Sequence, residues 1–129
     1  MIVGVGTDIV EIERISTMLN KHREAFVKRI LSPAEQRIFS AQMHPEKYLA
    51  KRWAAKEAIS KALGTGFTHG VSFQDMTITH TDHGQPLVEL SGKTQEVACQ
   101  KEISHWSISI SDEKHYAIAF VIAESRSLE

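Results

Sequence analysis

The 129-residue chain is 42% hydrophobic and 24% charged with a formal net charge of −1, the balance of one water-soluble domain over 1–129 with material for a sizeable core. No segment approaches the ~20 apolar residues of a membrane span and no basic leader precedes an apolar stretch, so neither membrane insertion nor secretion is expected. The lone cysteine, Cys99, cannot close an intrachain disulfide, which points to a reducing cytoplasm and to a small packing role for that thiol.

The apolar run from Ile2 to Gly6 predicts a strand over about 2–8, and Ile12, Ile15 and Leu19 give one apolar face to a helix over roughly 10–19. A second helical piece is expected around 23–31. Ser32-Pro33-Ala34-Glu35 reads as a helix start: serine caps, proline opens the first turn and glutamate reaches back. That helix should end near His44-Pro45, because the residue before proline avoids helical geometry. A central helix follows from about Pro45 to Leu63.

After Gly70 the pattern turns to strand. Val71 to Thr81 is rich in β-branched and aromatic residues, and Asp82-His83-Gly84-Gln85-Pro86 forms a turn into Leu87–Leu90. Ser91 heads a helix to about Lys101. Trp106 to Ser111 alternates, Tyr116 to Ala123 reads as a more fully buried strand, and 124–129 is a polar tail. Helices first and hairpins afterwards describe an α+β domain, with a mainly antiparallel five-stranded sheet packed against helices.

Charge is unevenly spread. Between residues 14 and 29, Arg14, Lys21, Arg23, Lys28 and Arg29 face only Glu24, a local +4 that leaves −5 for the rest of the chain. One basic face for an acidic partner is one reading; a solvated helix surface is the other.

Two segments carry candidate chemistry. In Arg52-Trp53-Ala54-Ala55-Lys56-Glu57-Ala58-Ile59-Ser60-Lys61, alanine or a larger apolar residue covers nearly every helical face, which implies burial, yet four charges are present. Buried charges are costly unless paired, metal-bound or used. Glu57 and Lys61 lie four apart on one face, so they can pair with each other or serve an anionic, metal-bound ligand. Gly64 and Gly66 end the helix or let backbone approach a ligand. In Gly4-Val5-Gly6-Thr7-Asp8-Ile9-Val10-Glu11-Ile12, Asp8 sits at the expected strand end, as a cap or as a ligand-handling group. Were Asp8 and Glu57 to meet, they would form the oxygen-rich site that Mg²⁺ favours, with waters and substrate phosphates completing the shell.

Gly-Thr-Asp-Ile-Val-Glu-Ile near the N-terminus, Arg-Trp-Ala-Ala-Lys-Glu-Ala with Lys-Ala-Leu-Gly-Thr-Gly in the middle, and the closing Ser109-Ile110-Ser111-Asp112-Glu113-Lys114-His115-Tyr116-Ala117 together resemble the holo-[acyl-carrier-protein] synthase group of 4′-phosphopantetheinyl transferases, over essentially the whole chain. The resemblance implies that family's fold and a trimer with active sites between subunits. It implies that Asp8 and Glu57 hold Mg²⁺ against the pyrophosphate of coenzyme A, with Lys61 on a phosphate oxygen. A serine of acyl carrier protein would then take 4′-phosphopantetheine, supporting fatty acid synthesis; its proton could pass to a water on the metal or to Glu57. By position, Arg52 and Lys56 belong to the coenzyme A site or its scaffold, and Gly64 and Gly66 to the ligand's approach. Where the family often has a histidine, five residues before Asp112, this chain has Ser107; either His105, two residues earlier on the same strand face, takes over the contact with the nucleotide, or the site lacks it. Arg14, Lys21, Arg23 and Lys28 would face the acidic carrier protein. Rival readings are a metal-dependent phosphohydrolase acting on another nucleotide and a non-catalytic basic module. Nucleic acid is not expected, because only Phe26 interrupts the basic stretch with an aromatic ring.

Overall fold

The fold turns on the close meeting of its first strand, β1 (Ile2–Glu11), with its central helix, α3 (Pro45–Leu63). In this computed structural model, which describes residues 1–126, a Cβ on Gly4 would stand 1.9 Å from the carbonyl oxygen of Ala62, and one on Gly6 1.9 Å from that of Ala58. Only glycine permits such an approach. Two strand residues advance about 6.8 Å and four helix residues about 6 Å, so the two elements stay in step over this stretch. Gly4, Gly6, Asp8 and Val10 point towards the helix, and Val3, Val5, Thr7 and Ile9 point away.

β1 pairs antiparallel with β5 (Tyr116–Glu124), which pairs antiparallel with β4 (His105–Asp112). The inward residues of β5 are Ala117, Ala119, Val121 and Ala123, all buried against α3. Small side chains on both surfaces let the helix lie low on the sheet. α3 presents Ala50, Ala54, Ala55, Ala58 and Ala62 with Leu49, Ile59 and Leu63, all buried, and this is the centre of the core.

The five expected strands are all present, but they do not form one sheet. β2 (Met76–His80) and β3 (Pro86–Leu90) make a separate antiparallel hairpin. Alternating polarity identifies a strand and its buried face, not the strand to which it bonds.

Several boundaries differ from those expected. β1 runs on to Glu11, so Asp8 lies within the strand, opposite Ala119, and caps nothing. The two expected helical pieces over 10–31 are both present and meet at a kink within α1 (Ile12–Ile30), at His22, whose φ of −141° is non-helical. α2 (Pro33–Phe39) starts with the expected capping box but ends before His44. Phe73–Asp75 form a 3₁₀ turn, so the strand expected from Val71 begins at Met76. α4 (Gly92–Gln100) begins after Ser91, whose hydroxyl bonds the Asp75 carbonyl rather than capping the helix. The polar tail is shorter than expected, because Glu124 still belongs to β5; residues 127–129 lie outside the described residues.

β5 is also not buried throughout. Tyr116, Ile118 and Phe120 point outward beside Val3, Val5 and Ile9 of β1, and Phe120 and Ile9 are 46% and 62% exposed. The outer face of β1 and β5 is therefore largely apolar, and β4 borders it with Ser107, Ser109 and Ser111. Cys99, expected to pack, is exposed.

Candidate active site

Asp8, Glu57 and Lys61 come together where β1 crosses α3. The ammonium of Lys61 lies 3.2 Å from Oδ1 of Asp8 and donates to the Thr7 carbonyl oxygen at 2.9 Å. The ion pair expected between Glu57 and Lys61 is thus made to Asp8 instead. Lys61 is half-exposed, and Asp8 retains 16% side-chain exposure. Oδ2 of Asp8 is buried without a hydrogen-bond partner. A buried carboxylate oxygen with nothing to bond is unusual, because the desolvation of charge goes uncompensated.

Glu57 is half-buried on the neighbouring face of α3. Its carboxyl holds a proton more tightly than an ordinary glutamate, first because burial desolvates it and second because the charge of Asp8 opposes its ionisation; Lys61 pulls the other way. Two carboxylates that repel each other, one with an unused oxygen, form a donor set suited to a hard divalent cation. Among the described residues no group of three or more histidine, cysteine, aspartate and glutamate side chains could hold a metal. A cation here would need further ligands from water or a substrate.

Gly64 ends α3 in the left-handed region, with φ 80°. Gly66 has φ 58° and open space where a side chain would be, so the backbone is accessible there. The following Phe67 stacks on Phe73 with ring centroids 3.9 Å apart, and Phe73 stacks on Trp53 at 5.2 Å, anchoring the loop to the α3 turn that precedes Glu57.

Arg52 and Lys56 stand in the scaffold, on the opposite side of α3. Lys56 is wholly buried, and its ammonium donates to Glu35 Oε1 at 2.5 Å, to the Ile30 carbonyl at 2.7 Å and to the Phe73 carbonyl at 3.1 Å. Burial pushes the Lys56 ammonium below the usual lysine range, and Glu35 works against that. Glu35 Oε2 accepts from the Ile78 amide at 2.9 Å and lies 3.6 Å from Arg52 Nε. The guanidinium of Arg52 also covers the Tyr48 ring, 4.4 Å from its centroid. Both cations are buried, Lys56 with its ammonium fully engaged and Arg52 with Nε paired to Glu35 by charge alone.

Glu35 escaped the sequence reading in this role. It is the reaching-back glutamate of the capping box, receiving the Ser32 amide at 3.0 Å, and its local use conceals its second one.

His105 opens β4, two strands away from β1, and shares the outer face with Ser107. Asp8 is on the inner face. Along and across the sheet, His105 and Asp8 are separated by roughly 20 Å. One chain does not bring them together. Arg14, Lys21, Arg23 and Lys28 are all exposed on α1, the first, second and last of them at intervals of seven residues.

The profile of the 4′-phosphopantetheinyl transferase superfamily matches residues 4–121, from the glycine notch of β1 to the inner strand of the sheet. This chain belongs to that superfamily. It is 68% identical over 127 residues to the holo-[acyl-carrier-protein] synthase of Hydrogenovibrio crunogenus, covering 98% of this chain and 100% of the relative. The crystal structure of the synthase from Neisseria meningitidis matches with a TM-score of 0.92 at 43% identity, over 97% of this chain and 100% of the other. The synthase from Bacillus anthracis, solved in complex with CoA (3′,5′-ADP), matches with a TM-score of 0.83 at 38% identity, over 98% and 99% of the two chains. Among phosphopantetheinyl transferases this places the chain in the holo-[acyl-carrier-protein] synthase group, and the α+β architecture is that of the group.

Proposed function

We propose that this phosphopantetheinyl transferase moves the 4′-phosphopantetheine group of coenzyme A to a serine of acyl carrier protein, and that Asp8 and Glu57 hold the Mg²⁺ the reaction uses. The reaction converts apo carrier protein to its holo form for fatty acid synthesis. The observation that carries the site assignment is the buried, unpartnered Oδ2 of Asp8 beside a glutamate whose proton affinity Asp8 raises. Mg²⁺ takes one or two protein carboxylates and fills its octahedron with waters and substrate phosphates, which suits a site with only two acids. When bound, the ion supplies charge neutralisation at the pyrophosphate.

The chain's own groups supply the rest. Lys61, on a flexible half-exposed stem, can reach a phosphate oxygen and stabilise the charge that builds during transfer. The serine oxygen forms a bond to the phosphorus that carries pantetheine, the bond from that phosphorus to the oxygen of adenosine 3′,5′-bisphosphate breaks, and the serine proton is released. The open backbone around Gly64 and Gly66 allows close approach of the ligand.

The active unit is a homotrimer in this reading, with sites between subunits. The apolar outer face formed by Val3, Val5, Ile9, Ile118 and Phe120 supports it, because exposed patches of this kind mark interaction surfaces. So does the placement of His105 and Ser107 on that outer face, where they can serve only a ligand held by another copy. The cationic stripe of α1 faces the acidic carrier protein. A cytoplasmic setting accords with the exposed, single Cys99.

The test is mass analysis of apo carrier protein after incubation with coenzyme A and Mg²⁺. Gain of the phosphopantetheine mass is expected with the native chain, and nearly none with Glu57→Gln or Asp8→Asn, both folded. Near-normal turnover by either variant at limiting Mg²⁺ would end the metal assignment. Hydrolysis of the nucleotide without modification of the carrier would favour a phosphohydrolase.

A further inference from the structure

The two oxygens of Asp8 are not equally placed for an incoming cation. Oδ1 faces the Lys61 ammonium at 3.2 Å, and Oδ2 is buried. A second bond to the Thr7 carbonyl at 2.9 Å seats the ammonium against β1. Yet the side chain is half-exposed, and the ion pair faces the screening and entropy that keep such contacts weak. An amine so placed is held, but not locked.

The charges explain why it lies there. Asp8 on β1 and Glu57 on α3 bring two carboxylates to one crossing, and Lys61, one turn beyond Glu57, sets its ammonium 3.2 Å from Asp8 Oδ1. One ammonium offsets one of the two carboxylates. A divalent ion offsets both, and it would then stand beside a cation of its own sign.

We propose that Lys61 is a resident counter-cation which a divalent metal displaces from Asp8, so that metal entry releases the ammonium towards the substrate phosphate in the same event. This rests on the reading of Asp8 and Glu57 as the metal site. It adds an order to the reaction: a nucleotide that arrives before the metal meets a Lys61 already engaged with β1. The contrary arrangement, in which Lys61 orients Asp8 for the metal, predicts the opposite sign for the same measurement.

The measurement is binding of Mn²⁺ alone to the full chain, without coenzyme A, followed by the electron paramagnetic resonance signal of free Mn²⁺. Lys61→Met removes the charge and keeps the methylene stem; its dissociation constant for Mn²⁺ should fall roughly three- to tenfold, from loss of the competing ion pair and of like-charge repulsion. Lys61→Gln serves the same purpose should Met prove poorly soluble. Glu57→Gln should weaken binding by at least about tenfold. If Lys61→Met binds Mn²⁺ no tighter than the native chain while Glu57→Gln is impaired, displacement is overturned and the metal site stands. If Glu57→Gln and Asp8→Asn both bind as the native chain does, the metal site falls, and displacement with it.

Discussion

Lys56 and Glu35 form an ion pair 2.5 Å long in which both side chains are wholly buried. Through it, α3 is tied to the end of α1 at Ile30, to the cap of α2 at Ser32 and to the 3₁₀ turn at Phe73. Lys56 is the residue before Glu57, so the pin that fixes the rotation of α3 about its axis also decides where Glu57 points.

Breaking this pair from one side should be more harmful than removing it whole. Lys56→Met leaves Glu35 charged in the core, and loss of one partner of a buried pair costs about 3–5 kcal/mol. Lys56→Met combined with Glu35→Leu should recover part of that loss in urea unfolding, because it removes the uncompensated carboxylate, although Arg52 and the Ser32 and Ile78 amides then lose their partner. A double variant less stable than Lys56→Met would show that the backbone bonds to Glu35, rather than the charge, dominate.

Tyr48 predicts a limit at alkaline pH. Burial, the leading cause, raises its phenol above 10.0, with Arg52 opposing and Glu35 reinforcing the shift. The folded chain therefore keeps this proton at a pH where the unfolded chain has lost it. The resulting stability is complete below about pH 10 and is lost as pH rises through the folded value. Urea unfolding above pH 10 should show this loss in the native chain and a smaller one in Tyr48→Phe. Identical slopes in the two chains would rule Tyr48 out as the source.

The α1 stripe should affect one substrate only. Arg14→Glu or Lys28→Glu is expected to raise KM for carrier protein several-fold and leave that for coenzyme A nearly unchanged. Among the described residues Lys28 pairs only with exposed Glu24, so little stability is at stake. Added salt should weaken carrier binding by the native chain, because exposed charges are screened over about 8–10 Å. Equal changes in both KM values would indicate damage to the fold.

A site shared between copies permits rescue. Chains carrying Glu57→Gln should be inactive, and chains altered at both His105 and Ser107 should be impaired. Mixed and reassembled, they should regain part of the activity, since some interfaces combine two intact halves. Light scattering of the native protein should give about three times the 14.5 kDa chain mass. A fully active monomer would exclude the shared site and leave the transfer reaction untouched.

Element order and most helix ends could be read from the chain because they depend on local pattern: the Ser32–Glu35 box, the alternation of β4, the glycine stop after Leu63; the roles expected of Asp8, Glu57 and Lys61 came from the family resemblance. What could not be read depends on partners distant in sequence. Nothing near Lys56 names Glu35 as its counterion, and nothing near Lys61 favours Asp8 over Glu57. The division of five strands into two sheets is likewise a matter of pairing, which strand periodicity does not encode. Tyr116–Ala123 looked wholly apolar because both its faces are, yet the folded chain covers only one of them. The other is left exposed.

The glycine notches of β1 make strand and helix behave as two graduated scales laid edge to edge, one marked every two residues and the other every four. Asp8 is the next graduation after Gly6, so its offset from Glu57 is measured along regular structure and not along any loop. Loops elsewhere in the chain can lengthen or shorten without changing the gauge. A single residue inserted between Glu57 and Ala58, by contrast, would turn the glutamate by about 100° relative to both notches and leave two well-formed elements that no longer share a site.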